Sequence, residues 1–159
     1  MREKNPLTKD AALLRMADLC ARSEQCASEI MTKLRAKGLP AQDISDIVEN
    51  LTDRGFIDEK RYARSFTRDK VRFAGWGRLK IRAMLAARRI STGAISEAMD
   101  EIDPEEYADA LARVAKSKAH GLDLRVYDDR MRLLRQLATR GFEIDLAKAE
   151  IKRLMGMSR

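Results

Sequence analysis

Histidine and tryptophan each occur once in these 159 residues, cysteine twice and proline three times. A single histidine, His120, removes every motif that needs paired imidazoles on a metal or a substrate. Cys20 and Cys26 form a C-x5-C pair, which is neither a C-x-x-C redox motif nor a metal-ligand spacing. Two thiols build no disulfide framework, so buried or partly buried thiols in a reducing cytoplasm are expected. No charged-then-apolar leader opens the chain and no apolar run approaches about 18 residues, which argues against secretion and membrane insertion. G-x-x-x-x-G-K-[ST], H-E-x-x-H and G-x-S-x-G are all missing. "GWG" at 75–77 is too short for a nucleotide loop and reads as a break between two helices. An enzyme is therefore the class the sequence supports least. No catalytic residue, metal or cofactor is expected.

The composition that remains is 45% hydrophobic and 36% charged, enough apolar content for a buried core and too much for a disordered chain. Few Pro and Gly, with much Ala, Leu, Arg, Glu and Met, favour helix. Apolar residues recur with the helical period throughout, and no convincing alternating strand is seen. Helices are predicted at about 9–22 and 27–37, from Pro40 to Gly55, and from an Asp58 cap to about Phe73. Five more are predicted: one around Ile81 to Leu85, one capped by Ser91 or Thr92, one opened by Asp103-Pro104 and ended at Gly121, one from Asp128 or Asp129 to Gly141, and one at about 144–155. His120 fits a helix C-terminus better than a reactive site.

Nine helices contain a period. Ile30, Leu34, Gly38, Ile44, Ile47, Val48 and Leu51 meet Ile81, Leu85, Arg89, Ile95, Ala98, Met99 and Ile102 in the next copy. A further shift gives Leu133, Leu137, Gly141, Ala147, Glu150, Ile151 and Leu154. The expected fold class is all-α, an elongated array of three tandem three-helix repeats, with units at 1–55, 56–102 and 103–159. Each small core would lean on its neighbour. The string "RGF" occurs at 54–56 and 140–142 but at different places in this register: both read as a basic helix end, a glycine cap and an apolar contact.

Charge is unevenly placed. Residues 1–54 carry 9 basic and 9 acidic side chains, residues 55–92 carry 11 and 3, and residues 93–159 carry 12 and 13. The surplus of +7 thus lies in the centre, and Glu97 to Asp109 directly after it is acidic with no base. Such polarity suits a polyanion or a charged protein partner, or a pair of solvated helix faces. Arg61, Arg64 and Arg68 fall on one face of the fourth helix, and Lys70 and Arg72 extend the field. Arg78 and Arg82 pair along the fifth helix beside Lys80, with Arg88 and Arg89 after them. Tyr62 and Phe66 are read as core, whereas Phe73 and Trp76 sit between the arginine sets. Arginine with interleaved aromatics suits phosphates and bases, and equally a protein interface.

"GFIDEKRYARSFTRDKVRFAGWGRLKIRAMLAARRIS", residues 55–91, resembles the central signature of the RecX regulatory proteins. "SEIMTKLRAKGLP" before it and "RLLRQLATRGFEIDLAKAEI" after it resemble the flanking units, and the likeness spans about residues 10–155. Two positions depart from the pattern. Cys26 stands where the family often has a capping Ser, and Arg89 stands where the second unit usually has Gly. The resemblance implies a non-enzymatic protein that binds the RecA filament, lies along its groove and limits filament growth, ATP hydrolysis, strand exchange and the coprotease activity of the SOS response. Arg61, Arg64, Arg68, Lys70, Arg72, Trp76, Arg78, Arg82, Arg88 and Arg89 are then the expected partner-binding residues. DNA contact would be weak or within the filament. The chain is read as a monomer. The competing reading is a helical-repeat protein that binds DNA directly without RecA, and a scaffold for another protein is a third.

Overall fold

Why these segments become helices is visible at their ends. The computed structural model describes residues 6–157. Thr8 caps α1 (Lys9–Arg22) by accepting the Ala11 N–H, and Asp58 caps α4 (Glu59–Asp69) by accepting that of Arg61. Ser91 and Asp103 do the same for α6 (Thr92–Asp100) and α7 (Pro104–Ala119), whose Pro104 costs no helical bond in the first turn. The others are α2 (Ala27–Ala36), α3 (Ala41–Asp53), α5 (Arg78–Ala87), α8 (Tyr127–Thr139) and α9 (Ile144–Met157). Nine α-helices and no strand occur among the described residues, the all-α fold expected. None of the described helices is long and apolar enough to cross a membrane.

Two boundaries differ from expectation. The fourth helix does not run regularly to Phe73. It widens into a π-helical turn, Lys70–Ala74, closed by Gly75 in the left-handed region and by a Trp76 N–H to Lys70 carbonyl bond. The eighth helix starts at Tyr127 rather than at an aspartate cap. Asp129 is already engaged, accepting the Asp123 N–H at 2.8 Å.

The repeat register appears directly in the backbone. Gly38, Arg89 and Gly141, aligned by sequence, have φ of 80°, 59° and 94°. In each case the next residue, Leu39, Ile90 or Phe142, is buried and donates its N–H five residues back, to Leu34, Leu85 or Leu137. This is the Schellman stop, with the apolar contact that goes with it. Arg89 is the only described non-glycine residue with positive φ. A side chain there is strained by roughly 1 kcal/mol. Arg89→Gly is expected to raise stability by about 0.5–1 kcal/mol, read as a rise of a few degrees in thermal melting.

Within each set the third helix packs on the other two: α3 on α1 and α2, α6 on α4 and α5, α9 on α7 and α8. Burial is divided differently. One cluster is built by Ala12, Met16, Ile30, Leu34, Ile44, Ile47 and Leu51. A second runs without interruption from Tyr62 and Val71 through Leu85 and Ile95 to Leu111, Leu133 and Phe142. Cys26, at the N-cap of α2, is 1% exposed and belongs to this second cluster, so it links the first set to the second by packing and makes no side-chain cap bond. Cys20 is partly buried, and burial is the main cause that pushes its thiol pKa up.

The join between α5 and the α8–α9 turn is the tightest. Gly77 N–H donates to the Arg140 carbonyl at 2.8 Å and Leu79 N–H to the Gly141 carbonyl at 3.0 Å. Tyr107 stacks obliquely on Phe142, accepts the Arg78 N–H at 3.0 Å and donates to Glu143 at 2.9 Å. Arg78 lies 3.8 Å from the Tyr107 ring centroid and 3.3 Å from a Glu143 oxygen. The Tyr107 hydroxyl is pushed up to about 12, first by burial and then by Glu143, against the lowering effect of the Arg78 N–H. An unfolded phenol titrates near 10, so only the unfolded chain sheds this proton between about pH 10 and 12. The stability Tyr107 contributes is whole below that window and is lost as pH rises through it. Tyr107→Phe is expected to cost about 1–2 kcal/mol at neutral pH and to flatten the alkaline decline, measured by urea unfolding at several pH values.

Candidate functional site

The central arginines face an acidic wall from the same chain. Along α4 and the π-helical turn that follows it, Lys60, Arg64, Arg68 and Arg72 recur every four residues and so lie roughly in a row. Lys60 lies 3.1 Å from Glu97, and Arg64 lies 3.8 Å from Glu101. Arg72 holds Glu106 with two bonds, of 3.2 and 2.8 Å. That bidentate bond is the main cause that raises the Arg72 pKa above its ordinary value. The acidic run of α6 and α7 therefore neutralises most of one basic row. Arg68, between these rungs, is exposed and has no carboxylate partner among the described residues.

A cleft of about 680 Å³ opens between this row and the α6–α7 turn, with Val71, Ala98 and Ile102 among its apolar lining residues. Two buried polar atoms in it have no hydrogen-bond partner among the described residues, Thr67 Oγ1 and Glu24 Oε2.

The other expected residues divide by environment. Arg61, expected to bind a partner, is a structural clamp instead: it binds Glu24, in the connection between α1 and α2, at 2.5 Å and the carbonyls of Gly55 and Phe56. Arg78 is held by Glu143 and Tyr107 at the join already described. Arg88 binds Glu29 at 2.8 Å and lies over Phe66, 4.9 Å from its centroid. Burial is the largest single influence on the Arg88 pKa and lowers it, but the Glu29 bond together with the Tyr62, Glu29 and Cys26 charges leaves it raised. Lys70 sits 4.6 Å from the Trp76 centroid, and Lys80 sits 4.3 Å from it. Trp76 is partly buried against the second core, with Phe66 edge-on at 6.2 Å. Arg82 and Arg89 are exposed and have no ion-pair partner among the described residues. Phe73 is 83% exposed, the most exposed of the large apolar side chains described. Tyr62 is buried and Phe66 packs against the core, as expected.

Sequence reasoning missed Lys60, Glu97, Glu101 and Glu106 as participants. The signal was there in the four-residue spacing of 60, 64, 68 and 72 and of 97 and 101. The pairing joins helices 34 to 37 residues apart, which no local pattern specifies.

A family model described as "RecX, second three-helix domain" matches residues 58–99, the segment carrying this row. The Regulatory protein RecX of Chromohalobacter salexigens is 34% identical over 128 residues, covering 80% of this chain and 82% of that protein. That of Pseudomonas entomophila is 33% identical over 129 residues, covering 81% and 82%. A solved structure titled as RecX from Lactobacillus salivarius superposes with a TM-score of 0.77 at 20% identity, covering 92% of this chain and 96% of that one. A second, titled as regulatory protein RecX, gives 0.74 at 23%, covering 88% and 70%. At those identities the two structures speak to the fold alone.

Proposed function

Since this chain belongs to the RecX family of regulatory proteins, we propose that it binds the RecA nucleoprotein filament and limits its extension, ATP hydrolysis, strand exchange and coprotease activity, thereby tuning recombination and the SOS response. One observation carries the reading. Within the segment that the family model matches, Arg68 and Arg82 are exposed with no carboxylate partner among the described residues, while Arg61, Arg72, Arg78 and Arg88 are held by acids of the chain itself. The same segment carries Phe73, 83% exposed, and Trp76, flanked by Lys70 and Lys80, so it combines free arginines with aromatics, the residue types enriched at protein interfaces. Direct DNA binding without RecA is the weaker reading, because the acidic row competes with any phosphate chain for α4.

Arg68→Glu with Arg82→Glu tests this. Neither side chain supports the fold, so circular dichroism melting should be unchanged. The concentration that half-inhibits RecA ATPase on single-stranded DNA is expected to rise roughly tenfold or more. Wild-type inhibition by the double variant would remove this face from the interface. Tight binding to bare DNA with no preference for the filament would favour the direct DNA-binding reading.

A further inference from the structure

Arg89 keeps a side chain where the aligned positions, Gly38 and Gly141, have none, in a backbone conformation that L side chains rarely adopt. Strain of this kind persists where something besides folding selects the residue. Arg89 makes no ion pair with the described residues and lines two cavities, one of about 740 Å³ between α2 and α5 and one of about 550 Å³ between α2, the start of α4 and the turn after α5. Met31 borders both cavities; Met84 and Ala87 add apolar surface on one side, and Ile57 and Ile90 on the other. Lys33 and Arg35 line the larger cavity from α2.

The carboxylates around this groove are already committed. Glu29 accepts from Arg88 and Tyr62, Glu59 accepts from the backbone and hydroxyl of Ser91, and Asp58 caps α4. Lys33 finds only the neutral Gln25 amide, and Arg35 and Arg89 find no acid among the described residues. The larger cavity therefore presents three cations, Lys33, Arg35 and Arg89, with no acid partner among the described residues, around an apolar, methionine-containing floor, while the smaller one also carries the anions Asp58 and Glu59. A phosphodiester chain would use the cations and leave the floor uncovered. Among the described residues no aromatic side chain lines either cavity for a base to stack on.

We infer that the α2–α5 groove is a docking site for an acidic amphipathic peptide segment of a partner protein, with Arg89 as its central carboxylate receptor. Methionine floors adapt to such segments, and an arginine fork on the rim reads their carboxylates. This site goes beyond the RecA reading: it lies on another seam, and its test uses no filament, so either idea can fail alone.

The probe is a fluorescein-labelled synthetic helical peptide with Asp and Glu on one face and Leu at helical spacing on the other, titrated by anisotropy against the full chain. Arg89→Gly is the informative variant, because it removes the guanidinium while relieving the backbone, so lost binding cannot be ascribed to misfolding. Affinity is expected to fall about tenfold in Arg89→Gly and in Lys33→Gln/Arg35→Gln, and to be largely retained in Arg89→Lys. The same peptide with Leu replaced by Ser is expected to bind about tenfold more weakly to the wild type. An oligothymidylate of equal net charge should bind the wild type and Arg89→Gly alike. No binding of the Leu peptide, equal binding by Arg89→Gly, or an equal loss of oligothymidylate binding each overturns the proposal, the last in favour of a phosphate site.

Discussion

Gly77→Ala is expected to destabilise the protein by at least about 3 kcal/mol, a drop in melting temperature on the order of 6–12 °C. The size of the effect comes from what an added Cβ meets. At Gly77 it would lie 2.3 Å from the Gly141 carbonyl carbon and oxygen and from Phe142 N. These are backbone atoms and cannot swing aside as a side-chain tip can. The α8–α9 turn must then retreat from α5, which breaks the Gly77 and Leu79 N–H bonds to it and uncovers Phe142, 0% exposed in the native protein. Gly141→Ala should do at least as much damage. Its Cβ would lie 2.4 Å from Lys80 Cβ and 2.5 Å from Lys80 N, and its φ of 94° is unfavourable to any L side chain. Gly93→Ala is the internal control: it lies in α6 with nothing within 4 Å of the added methyl, so it is expected to be neutral or to stabilise by up to about 1 kcal/mol. Urea unfolding of the three variants decides the matter. Wild-type stability in Gly77→Ala would mean that the two turns are not in backbone contact.

The second large effect is a gain. Glu97, Glu101 and Glu106 occupy Lys60, Arg64 and Arg72, side chains that a partner of opposite charge would otherwise meet. Changing all three to glutamine is expected to lower the concentration that half-inhibits RecA ATPase on the order of tenfold at low salt. These pairs are half exposed, so their loss should cost little stability. The gain should shrink as salt rises and screens the freed charges. The bare-DNA affinity of the same variant, measured in parallel, separates a general electrostatic gain from a filament-specific one, because phosphate binding carries a steep salt slope. Unaltered potency at low salt would show that the acidic row does not restrain this face.

Most helix positions and caps, and the repeat register, were legible in the sequence because each is set within a few residues; the π-helical turn after α4 and the uncapped start of α8 were not. Asp58 caps a helix from three residues away, Leu39, Ile90 and Phe142 each close a stop five residues behind them, and Ile30, Ile81 and Leu133 face inward because the helical period puts them there. The family resemblance rested on the same kind of information, the order and spacing of local signals along the chain. Tertiary structure decided what the charges and the glycines mean. Of ten expected binding residues, Arg61, Arg78 and Arg88 became links between helix sets, because carboxylates at Glu24, Glu143 and Glu29 came within reach only after the sets docked. Glu59, a first-turn acid of α4, turns to the start of α6 and holds Ser91. The glycines of "GWG", which locally do no more than end a helix, prove to be spacers: Gly75 beneath Val114 and Gly77 against Gly141. Local sequence sets torsions and faces. Which face meets which, and which cations remain to meet a partner, depends on contacts 30 to 70 residues apart, where no short-range preference acts.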